Sequence, residues 1–222
     1  MEQQHGNIIC FIGTSLINQA NRAGSNYMYH TASSHIRWAS GLNNGLIRCP
    51  VYSDQRVLSG WGNRNFWGMN CGVSGQTCEE IWNRRFDIVN NLKGVDRYVL
   101  DMGTKDMGSL SSDEISESRY NMCNFLKDYA PVTLLTILSR GAPSWPIDGA
   151  EYLKSLKINQ DSLLFPFKID GLDVFDWNEK WTDQDSEDNQ PRSGASYDDI
   201  HVSGKGAYWI GCLLYTSDAA DE

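Results

Sequence analysis

Short apolar runs recur along the chain at Ile8–Ile12, Trp67–Cys71, Tyr98–Met102, Val132–Leu138 and Leu172–Phe175. They are continuous rather than alternating, which suits strands covered on both faces, as in a parallel sheet. The fourth run is rich in β-branched residues and leucine, and the fifth is the weakest. Between the runs the apolar positions take a helical period. Thr77-Cys78-Glu79-Glu80 reads as a capping box that opens a helix over Glu79–Asn91, with Ile81, Phe86 and Val89 toward the core. Ser111-Ser112-Asp113-Glu114 opens another, running to about Tyr129 and stopped before Pro131. Further helices are expected over Ser33–Gly41, over roughly Gly149–Ile158, and from near Ser203.

This alternation of strand and helix predicts an α/β protein, a three-layer α/β/α sandwich around a parallel five-stranded sheet. In such sheets ligands collect beyond the carboxyl ends of the strands. Ser15 follows the first strand there, Gly75 the second and Lys105 the third. No internal repeat is visible. The stretch Trp181–Arg192 is polar and acidic and reads as a solvated loop.

Composition narrows the function classes. A length of 222 residues, 41% hydrophobic and 21% charged, fits one soluble globular domain with a real core. The net charge of −9, without any basic run, argues against a nucleic-acid partner. No apolar stretch approaches the ~20 residues that span a bilayer, so no membrane insertion is expected. The N-terminus is polar and runs straight into the first strand, so no signal peptide is expected, and the compartment stays open between cytoplasm and virion. The six cysteines form no C-x-x-C pair; reduced core thiols are expected, and no structural zinc site. Residues 212–222 resemble a translated sequencing adapter, which would confine the folded domain to 1–211 and point to an environmental or viral sequence. That tail carries Asp218, Asp221 and Glu222, so −9 becomes −6 without its three charges. A genuine acidic C-terminus is the alternative.

The chemistry-bearing residues lie at the two ends of the chain. Gly13-Thr14-Ser15-Leu16 sets a serine at a strand-to-loop turn, and Tyr197-Asp198-Asp199-Ile200-His201 offers an Asp-x-x-His in one short segment. A serine hydroxyl is a poor nucleophile until a positioned base removes its proton, and the base in turn needs a group that orients it. His201 is the one of four histidines with an aspartate three residues before it. Ser74 lacks the second glycine of a Gly-x-Ser-x-Gly elbow.

Four blocks, in order, resemble the SGNH (GDSL-type) hydrolase family: Gly13-Thr14-Ser15-Leu16, Gly72-Val73-Ser74-Gly75, Gly103-Thr104-Lys105-Asp106 and Asp198-Asp199-Ile200-His201. The resemblance implies a flavodoxin-like sheet order and a serine esterase acting on short acyl esters, among them O-acetyl groups on carbohydrate, without cofactor or metal. It makes Ser15 the nucleophile, His201 the general base and Asp198 its orienting carboxylate. It assigns the oxyanion hole to Ser15, Gly75 and position 105. Two residues depart from the family pattern. Thr14 replaces an aspartate that is mainly structural in the family. Lys105 replaces the asparagine that donates to the oxyanion; it either donates in its place or faces solvent.

Trp61 and Trp181 flank the expected site and are candidates for a sugar-stacking platform, with core packing as the alternative. Two other readings stay open. Lys105 motivates a non-catalytic descendant that binds a glycan or a protein partner. A flavodoxin-like cofactor binder shares the sheet order but leaves Asp198 and His201 unexplained.

Overall fold

The computed structural model describes residues 9–18, 68–140, 149–181, 192–196 and 203. Five strands form one sheet: β1 (Ile9–Gly13), β2 (Gly68–Gly72), β3 (Arg97–Leu100), β4 (Val132–Leu135) and β5 (Leu172–Phe175). Their order is β2-β1-β3-β4-β5 and every pairing is parallel. All five carboxyl ends therefore lie at one edge, and β1 sits between β2 and β3. The expected architecture and the flavodoxin-like order are both present.

Side-chain alternation explains the layers. On β1 and β3, Cys10, Ile12, Tyr98 and Leu100 face one core cluster while Phe11 and Val99 face another. The first face is covered by α2 (Cys78–Asn83), α3 (Arg85–Asn91), α4 (Ser112–Leu126) and α5 (Ala150–Leu163), through Ile81, Val89, Ile115, Met122 and Ile158. The second face takes Leu16 and Ile17 of α1 (Ser15–Asn18) and Trp181 of α6 (Asn178–Trp181). Both faces are thus dry, which is why the strands read as unbroken apolar runs.

Both capping boxes form. Thr77 Oγ1 accepts from the Glu80 N–H at 3.2 Å and Glu80 Oε2 accepts from the Thr77 N–H at 2.8 Å, with Ser111 and Glu114 repeating the arrangement. The helix expected over Glu79–Asn91 is two helices, because the backbone leaves helical geometry at Arg84 (φ −93°, ψ 6°). That break changes the phase, and Phe86 is 49% exposed rather than in the core. It packs edge-on against Phe125, and the Arg85 guanidinium lies over its ring. The helix expected over Gly149–Ile158 runs on to Leu163. The helices expected over Ser33–Gly41 and from Ser203 fall outside the described residues, apart from Ser203 itself. Cys10, Cys71, Cys78 and Cys123 are buried and not in disulfides, and the Cys10 thiol donates to Cys71 Sγ at 3.7 Å. Among the described residues no helix is long and apolar enough to cross a membrane.

Candidate active site

Ser15 opens α1 just past the last residue of β1, so its N–H lies in the first turn, outside the intrahelical ladder. The helix is short but anchored, with Leu16 3% and Ile17 0% exposed. Glycine at 13 is required by close approach. A Cβ there would sit 2.6 Å from Ile17 Cγ1 and 2.8 Å from the Asp101 carbonyl oxygen. Gly13→Ala should therefore cost about 1–3 kcal/mol through overpacking, read as a lower urea midpoint; an unchanged midpoint would show that the turn yields freely.

Asp101 is fully buried and holds the end of β1 from the side of β3. Its N–H donates to the Ile12 carbonyl at 2.9 Å, and its Oδ2 accepts from the Thr14 hydroxyl at 3.0 Å. Burial pushes the Asp101 carboxyl above the ordinary carboxylate range, against the Thr14 hydroxyl bond, the Arg119 charge and the Thr14 backbone N–H, which favour the carboxylate. Sequence reading missed Asp101; the available signal was a carboxylate inside the otherwise apolar run Tyr98–Met102.

The turn after β2 lies beside Ser15, since Val73 donates its N–H to the Gly13 carbonyl at 2.9 Å. Gly75 is exposed in that turn with φ +80°, a left-handed value that glycine adopts without strain. Among the described residues, its chain neighbours aside, no atom lies within 4 Å of where its Cβ would be, so conformation rather than crowding selects glycine here. On the other side, the turn after β3 is a 3₁₀ segment, Thr104–Asp106. Thr104 and Asp106 are 8% and 3% exposed, whereas Lys105 between them is exposed. Asp106 Oδ2 accepts from the N–H of Cys78, the first residue of α2, at 2.9 Å. One carboxylate therefore ties the β3 turn to the helix that follows the Gly75 turn. Burial, reinforced by Asp106, pushes the Cys78 thiol far up and leaves it inert.

Asp198, His201 and Trp61 lie outside the described residues. The described residues flanking the Asp-x-x-His segment are well anchored. Arg192 donates its N–H to the Trp181 carbonyl at 2.9 Å, Ala195 to Arg192 at 2.7 Å, and Ser203 to Ala195 at 2.7 Å. Ala195 is 0% exposed and belongs to the same core cluster as Leu16 and Ile17 of the serine helix. Trp181 is 1% exposed, and its indole N–H donates to the Ser139 carbonyl at 2.7 Å. It takes the core-packing role, with no ring face open to a sugar, which corrects the platform expectation at this residue.

No protein-family model matches the chain, and no curated protein sequence matches it. Solved structures do. A GDSL-like lipase from Bacteroides thetaiotaomicron superposes with TM-score 0.66 at 16% identity, covering 98% of this chain and 90% of its own. A member of the lipolytic protein G-D-S-L family from Veillonella parvula gives 0.66 at 12% identity, over 95% and 96%. A carbohydrate acetylesterase from Sinorhizobium meliloti gives 0.65 at 12% identity, over 97% and 100%. The fold is that of the GDSL-like hydrolases, across nearly the whole chain.

Proposed function

We propose that this protein is a serine carboxylic-ester hydrolase of the SGNH type, acting on short acyl esters and in particular on O-acetyl groups of carbohydrate. One observation supports it most. Ala195, which precedes the Asp-x-x-His segment, packs into the core cluster that anchors the helix opened by Ser15. Two parts of the chain that supply a nucleophile and a base thus share one foundation, although 180 residue positions separate Ser15 from Ala195 in the numbering.

The chemistry proceeds in two displacements. Ser15 Oγ attacks the ester carbonyl carbon as His201 takes its proton, with Asp198 orienting the imidazole and stabilising its charged form. The tetrahedral oxyanion is met by the N–H groups of Ser15 and Gly75. It collapses with loss of the alcohol, which leaves with the proton from His201. Water then attacks the acyl-enzyme with His201 again as base, releasing the acid and restoring the Ser15 hydroxyl. The preference for an acyl ester of a sugar draws on the carbohydrate acetylesterase among the structural neighbours.

Lys105 is assigned here as the third oxyanion donor, reaching from the exposed position of the β3 turn. Lys105→Ala should lower kcat by about 10²-fold with little change in KM, the usual scale for one such donor. An unchanged kcat would assign this lysine to solvent. The competing reading, a non-catalytic binder, is motivated by the same residue. Labelling of Ser15 by a fluorophosphonate probe, together with turnover on a panel of acyl-chain and sugar esters, separates the two; a protein that labels at no residue and turns over no ester is not an esterase.

A further inference from the structure

The geometry points to Asp101 as a positioning residue for the nucleophile: it holds the Ser15 turn through Thr14 at a cost in folding stability. This deepens the esterase reading and rests on it. Asp101 is 0% exposed, and although its Oδ2 takes the Thr14 hydroxyl at 3.0 Å, its Oδ1 has no hydrogen-bond partner among the described residues. A buried carboxylate oxygen left unsatisfied is expensive, and an apolar side chain of similar volume would avoid that expense. What favours a carboxylate here is Thr14, through its hydroxyl and backbone N–H, and the buried Arg119 charge.

Its connections run to the serine turn. The Asp101 N–H bonds the Ile12 carbonyl, its carboxylate bonds the Thr14 side chain, and its backbone lies so close to residue 13 that only glycine fits between them. Three consecutive residues leading into Ser15 are thus gripped from the end of β3. The neighbouring β3 turn carries Lys105 and Asp106, and Asp106 in turn bonds the start of α2 beyond Gly75. The Thr14–Asp101 bond is the one side-chain link in this set that acts on the residue adjacent to the nucleophile. Displacing a reacting group by a fraction of an ångström to an ångström costs up to about 10²-fold in rate, so a single well-placed bond is worth retaining against its folding cost.

The test is Thr14→Val combined with Asp101→Leu, which removes both partners and keeps the volumes close. If the pair served the fold alone, its removal would leave the chemical step at Ser15 unchanged, whatever its effect on the urea midpoint. As a positioning pair, its removal should slow fluorophosphonate inactivation at Ser15 about 10- to 100-fold in its maximal rate, with the probe's half-saturation constant unchanged, in protein that still unfolds cooperatively in urea. Thr14→Ser, which keeps the hydroxyl, should recover most of the rate. A wild-type maximal rate in the double variant overturns the proposal. Should the double variant not fold, Thr14→Val alone decides by the same two readouts. If wild-type protein does not label, the esterase reading fails. Asp101 is then judged by amide hydrogen exchange at Ser15–Ile17: faster exchange in Thr14→Val supports the clamp, and unchanged exchange overturns it.

Discussion

Ser15→Ala is expected to lose p-nitrophenyl acetate turnover by at least about 10³-fold, the scale seen when a covalent nucleophile is removed. The loss should fall on kcat, since the acyl-enzyme no longer forms. Folding should survive. Ser15 is only part-buried, and the substitution deletes one hydroxyl at the start of a helix whose anchoring side chains are Leu16 and Ile17. The urea midpoint is therefore expected to move little. Asp198→Asn should be weaker in its effect but still large, by about 10²–10⁴-fold, because the imidazole would be held in the wrong tautomer. Full turnover in Ser15→Ala would remove the acyl-enzyme mechanism and with it the assignment of His201 and Asp198.

Arg119→Met carries the largest expected effect on stability. Arg119 lies on α4, is 0% exposed, and spreads its guanidinium over three acceptors. Nη1 donates to the Met102 carbonyl, Nη2 to the Leu135 carbonyl at 2.6 Å, and Nε to the Ser162 hydroxyl at 3.3 Å. The two carbonyls lie where β3 has just ended and where β4 ends, so the side chain replaces ladder partners that those strands lack as they diverge. Methionine keeps most of the volume but leaves two buried carbonyls without this donor and removes the positive charge that favours the Asp101 carboxylate. Each lost bond to a charged group is worth about 1.5–3 kcal/mol, giving an expected destabilisation of about 3–5 kcal/mol once relaxation is allowed. Arg119→Lys should recover little of it, because one ammonium cannot span three separated acceptors. Equilibrium urea denaturation checks both variants; a change below about 1 kcal/mol for Arg119→Met would show that the carbonyls find other donors.

Much of the layout was legible from local signals. Both capping boxes were read from four-residue patterns and both form, because a side chain bonding a backbone N–H three residues on needs nothing from the rest of the chain. The five strands appeared as apolar runs because both faces of the sheet are covered. Their ends were less legible. Val132–Leu138 is buried apart from half-buried Thr133, yet only Val132–Leu135 is paired as strand, since β5 ends at Phe175, whose carbonyl takes the Thr136 N–H as the last link. A single helical phase extended through Arg84 puts Phe86 in the core, but the helix breaks there. Local sequence leaves Trp181 open between core packing and a sugar platform. Its burial comes from the core cluster it shares with Phe11 and Leu135 on the sheet, both remote in sequence.

The site divides in the same way. Ser15, Gly75 and Lys105 are legible as candidates because each belongs to a short block whose chemistry is local: a hydroxyl at a turn, a glycine that leaves a backbone N–H uncovered, a cation in the third block. Asp101, Asp106 and Arg119 gain their roles from partners 87, 28 and 16 positions away, through Thr14, Cys78 and Leu135. Periodicity and local hydrogen bonding are written into consecutive residues, so strands, caps and the serine turn could be read from the chain alone. Which carboxylate grips that turn, which tryptophan is dry, and which arginine bridges the strand ends depend on contacts closed across the sheet, and these exist only once the layers have packed.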